Sequence, residues 1–96
     1  MAVFAILTEV SQPELRKAVE TAYPDEHFHW SDTVSFVRAN GTAQKVSAEI
    51  GVKQADPEAD PTSGFTSVAV MQLAPSYFGW SKASGWEWLK DSFEAS

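Results

Sequence analysis

Apolar positions along the chain recur with different periods, and each period predicts an element. From Ala2 to Thr8 they are almost continuous and include Val3, Phe4 and Ile6. A short run of this kind predicts a central strand buried on both faces. The next stretch, SQPELRKAVETAYP, changes to helical spacing, with Leu15, Val19 and Ala22 at i, i+4 and i+7. Ser11 and Glu14 have capping-box spacing, Pro13 falls in the first turn where its missing N–H does no harm, and Pro24 ends the helix.

HFHWSDTVSFVRANG alternates instead. Phe28 and Trp30 share one face, and Val34 and Phe36 share one face after the Ser31-Asp32 break. Two strands joined by a tight turn, or one bent strand, satisfy this pattern. TAQKVSAEIG then predicts a short helix with Ala43, Val46 and Ile50 inward and Gly51 as its C′ residue. Residues 53–64 bring two prolines and three acids without a large apolar side chain, which predicts a solvated, mobile loop. FTSVAVMQLA returns to β-rich composition and predicts a buried strand with Val68 and Val70 inward; Pro75 closes it.

An aromatic-rich extension, residues 75–96, completes the chain. Ser84 and Glu87 have capping-box spacing and open a terminal helix in which Trp86, Leu89 and Phe93 form one stripe. Trp88 is expected on the opposite side, packed either under the Tyr77–Trp80 segment or against a partner. Since Trp and Tyr are enriched at interface hot spots, Trp88, Trp80, Tyr77 and Phe78 are the candidate interaction surface.

The order β-α-β-β-α-β plus a helix predicts an α+β domain over 1–96: a ferredoxin-like antiparallel sheet with helices on one face and an aromatic-rich C-terminal helix. That sheet has a second face. A first strand apolar on both sides requires that face to be covered by the C-terminal segment, a second subunit, or both.

Charge narrows the choice of partner. The chain carries 7 Lys and Arg against 13 Asp and Glu, a net charge of −6, and its cations are scattered. The field of such a surface repels phosphate backbones, which argues against nucleic acid as a partner. There is no cysteine, hence no disulfide and no thiolate metal site. The apolar N-terminus is too short to span a membrane and lacks the basic residues of a secretory signal, so a cytoplasmic location is expected.

FAILTEV, the capped helix, HWSDTVSFVRANGTAQKVSAEIG, the strand and YFGWSKASGWEWLK together resemble a group of short uncharacterised bacterial proteins similar to the SinR-like small proteins. Those in turn resemble the ferredoxin-like CRISPR-adaptation nuclease family. The resemblance covers nearly the whole chain in element order, with the terminal aromatic stretch as its most specific piece. It implies a ferredoxin-like fold and, from the nuclease relatives, a homodimer. Those relatives carry a metal-binding aspartate after a tyrosine at the end of the first strand. Here that place reads Thr8-Glu9-Val10, so Glu9 is the position the resemblance offers for a metal-dependent nuclease.

Few other residues have the spacing of chemistry. His27 and His29 lie two apart on a strand, so both imidazoles share a face; they are expected to line its solvent side with no metal bound, and they are the weak candidates for ligands, with Asp25, Glu26 or Asp32 to complete a shell. Asp56, Glu58 and Asp60 alternate as a calcium loop does, but Pro61 stands where that loop needs glycine. No nucleophile elbow or phosphate-binding glycine loop occurs. The expectation is a protein without a cofactor that works through protein–protein contact, as a homodimer and with a further protein partner. A divergent nuclease using Glu9 is the alternative.

Overall fold

The structure, a computed structural model, describes residues 2–53, 64–74 and 83–94. Among these residues the chain runs β1 (Ala2–Thr8), α1 (Pro13–Ala22), β2 (His27–Ser31), β3 (Val34–Ala39), α2 (Ala43–Glu49), β4 (Val68–Leu73) and α3 (Ala83–Glu94). The strands form one sheet in the order β2-β3-β1-β4, and every neighbouring pair is antiparallel. The fold is α+β. HFHWSDTVSFVRANG is resolved into two strands, β2 and β3, with Asp32 and Thr33 in the turn.

Strand β1 explains its own composition. Side chains alternate across a strand, so Phe4 and Ile6 enter one core and Val3 and Ala5 the other. The first core joins them to Val37, Ala39, Leu15, Val19, Tyr23, Val46 and Ile50 from β3, α1 and α2. The second joins Val3 and Ala5 to Phe36 and to Leu89 of α3. The chain's own α3 therefore packs on the second face of the sheet.

Several local expectations change once the chain is folded. The Ser11–Glu14 capping box does not form: α1 begins at Pro13, its N-cap is Gln12, and no side chain caps it. Gln12 instead turns its amide across the fold and donates to the Thr66 carbonyl at 3.0 Å. The inner stripe of α1 continues to Tyr23, while Ala22 is exposed. In α2, Thr42 accepts from the Lys45 N–H at 3.2 Å, and Gly51 takes the left-handed conformation at φ +86° that ends the helix.

Strand β4 is an outer strand rather than a buried one. Val68 and Val70 pack on the α2 side, but Ala69 is exposed and Met71 is 51% exposed. A valine-rich run signals β structure without specifying a central place in the sheet. Within the expected acidic loop, Asp56, Glu58 and Asp60 lie outside the described residues.

Candidate functional site

Strand β2 presents two different surfaces. Phe28 and Trp30 point toward α3, whereas His27 and His29 point toward α1. The histidine face gathers three potential ligands, because α1 brings Glu20 over the strand. One donor atom from each of Glu20, His27 and His29 lies within 4.8 Å of the others. The imidazole rings are 5.0 Å apart between centroids, and His29 Nε2 stands 3.0 Å from Glu20 Oε1.

Each imidazole is also held from behind. His27 Nδ1 is 2.6 Å from the Tyr23 carbonyl oxygen, which can only accept, so Nδ1 carries the proton. Nε2 of a neutral His27 is thereby left with its lone pair. His29 Nδ1 is 2.8 Å from the Ser35 hydroxyl on β3, which can donate or accept. Two imidazoles and a carboxylate, oriented by outer partners, can share protons or hold a cation.

The carboxylates expected beside the histidines are engaged elsewhere or apart. Glu26 pairs with Arg38 and Asp32 with Arg16, while Asp25 is exposed and outside the three-ligand group. Glu20 was not distinguishable in the sequence, since its place on α1 relates it to no strand until the helix docks. Glu9 lies exposed just beyond β1, with its N–H directed to the Ser67 carbonyl. Among the described residues no three-ligand group includes it.

The opposite face of β2 is aromatic. Trp30 meets Trp86 edge-on at 5.4 Å and Phe36 at 5.5 Å between centroids. Trp88 lies 6.1 Å from both Phe28 and Phe36, with the Arg38 guanidinium 5.5 Å over its ring. The line of α3 nearest the sheet is Gly85, Leu89 and Ser92, all buried. At 100° per residue, that line puts Trp86 and Trp88 on its two flanks. Trp88 is thus a half-buried flank of the contact, not the opposite side of the helix. Tyr77, Phe78, Trp80 and the Ser84 side chain lie outside the described residues.

The chain matches no family model, curated protein or solved structure. No helix among the described residues is long and apolar enough to cross a membrane.

His29 gives the fold a pH dependence. Burial lowers its pKa below the ordinary 6.5, the Glu20 hydrogen bond works the other way, and Arg16 and His27 add to the lowering. The unfolded chain then binds the proton first, so stability rises with pH in this window. With chelator present, the denaturation midpoint should be steady above pH 6.5 and fall as pH drops below it toward the lowered folded value. His29→Gln should flatten that slope; an unchanged slope assigns it to another group.

Proposed function

We propose that the protein acts through protein–protein contact, first with a second copy of itself, and that its cytoplasmic, ferredoxin-like domain joins through the outer edge of β4. The β-α-β-β-α-β order, with β3 and β1 central in an antiparallel sheet, supports the ferredoxin-like assignment.

The observation that carries the contact is the character of that edge. VAVMQL pairs with β1 in unbroken register and has neither a charge nor a proline. The other outer strand, β2, is shorter and shifts register between His29 and Ser31. Irregularities and charges blunt sheet edges, and β4 has neither; among the described residues no strand pairs with its outer side, so its outer backbone groups are a template for another strand. A second copy suits it, because two β4 edges meeting about a two-fold axis are self-complementary. Their pairing also sets no charge against charge, which matters in a chain with net charge −6.

Light scattering at high micromolar concentration should return the mass of two chains. The double substitution Ala69→Lys and Met71→Lys, at exposed positions, should return one chain with an unchanged circular dichroism spectrum. A strict monomer of the unmodified protein ends the dimer proposal. A dimer that survives the lysines but is lost with Trp88→Ala moves the seam to Trp88. The competing nuclease proposal requires cleavage of RNA or DNA with magnesium or manganese that Glu9→Gln abolishes.

A further inference from the structure

We infer that Glu20, His27 and His29 form a binding site for a divalent transition cation, zinc foremost, that ties α1 to the outer strand β2. The site is independent of the β4 seam and comes from a different part of the sheet. Its three ligand types are those of zinc centres that use two histidines and one glutamate and leave a fourth position open. Imidazole nitrogen selects such borderline cations, whereas calcium and magnesium favour shells made of oxygen.

The geometry is already close to what a cation requires. The donor atoms lie within 4.8 Å of one another, and one pair is at 3.0 Å. Zinc holds such ligands at about 2.0–2.2 Å, so the group must contract modestly. Glu20 can supply that movement, because its side chain is 51% exposed. The imidazoles stay in place: His29 is 15% exposed in its side chain and backed by Ser35, and His27 is backed by the Tyr23 carbonyl. Outer partners of this kind fix ring orientation at metal sites.

Proton positions also balance. In the metal-free chain, neutral His29 donates from Nε2 to Glu20 and accepts at Nδ1 from the Ser35 hydroxyl. When the cation enters, the ring proton moves to Nδ1 and is donated to Ser35 Oγ, freeing the Nε2 lone pair. The hydroxyl serves both tautomers, so neutral His29 needs no net proton loss. Arg16 is a positive charge that acts on His29, and its guanidinium is directed to Asp32 at 3.5 Å.

The test uses the untagged full chain, stripped with chelator and titrated calorimetrically with zinc and, separately, with magnesium. Zinc should saturate at one ion per chain and magnesium should give no binding heat. Cobalt should develop the visible absorption of a four-coordinate nitrogen-oxygen site. Loss of an outer partner at a metal site weakens binding by about 10–100-fold. Ser35→Ala should therefore cost about tenfold, and Glu20→Gln, His27→Gln and His29→Gln more than that. Glu20 is exposed, so Glu20→Gln keeps the core intact and separates ligation from folding. Absence of zinc binding overturns the site, and so does zinc affinity unchanged in all three ligand variants.

Discussion

Gly85→Val is expected to destabilise the protein by about 2–3 kcal/mol, the upper part of the range for overpacking a filled interior. A Cβ at position 85 would stand 2.7 Å from Trp30 Cζ3, 3.0 Å from Trp30 Cε3 and 3.6 Å from Phe28 Cε1. The ring it meets packs in turn against Phe36 and Trp86, which restricts how far it can yield. Either α3 lifts from the sheet or Trp30 leaves its place. Lifting separates the edge-on Trp30–Trp86 pair, of a kind that contributes about 0.5–1.5 kcal/mol beyond its buried area. A denaturant midpoint that falls together with a changed tryptophan emission spectrum is the expected result. Glu87→Ala, on the exposed side of the same helix, is the control and should stay within about 0.5 kcal/mol of the unmodified chain. If the two variants unfold alike, Gly85 does not set the distance between α3 and β2.

Phe4→Ala should cost more, about 3–5 kcal/mol, as does truncation of a fully buried aromatic side chain. Phe4 is 0% exposed and lies in the core that joins β1 to α1, α2 and β3. Its removal leaves a cavity between two helices and a sheet whose central strands are fixed by their ladder, so collapse around the void is limited. For a chain of this length the whole folding free energy is roughly 5–15 kcal/mol, which makes this one side chain a large share of the total. Chemical denaturation measures the loss directly. Met71→Ala provides the contrast, because a half-exposed methionine on the outer strand should change stability far less. Equal effects at the two positions would mean that the core does not lie where the burial of Phe4 puts it.

How much of this was legible before folding depends on the range of the interaction concerned. The continuous apolar run of β1 already required two covered faces, and both exist. The alternation of HFHWS already put His27 and His29 together and Phe28 and Trp30 together. It did not say which face met a helix bearing a carboxylate and which met a helix bearing tryptophans. Glu20 therefore carried no signal, whereas Asp25, Glu26 and Asp32 are near the histidines only in sequence. The Ser11–Glu14 box had suitable spacing, yet the chain places Gln12 at the cap and uses its amide to reach Thr66.

Trp88 shows the same division. Its angle from Leu89 follows from helix geometry, but the angle at which α3 rests on the sheet does not. Small residues at Gly85 and Ser92 let the helix settle along their line, and both tryptophans become its flanks.

The sequence by itself determined periods, helix ends set by proline and glycine, the two-sided burial of β1 and the acidic balance of the surface. These depend on neighbours a few residues apart, whose relative positions are fixed by backbone geometry. The tertiary structure alone decided that β4 is an outer strand among the described residues, that α3 packs on the second face, and that Glu20 meets two imidazoles. Those outcomes depend on contacts between distant segments, which packing selects only when the whole chain is placed together.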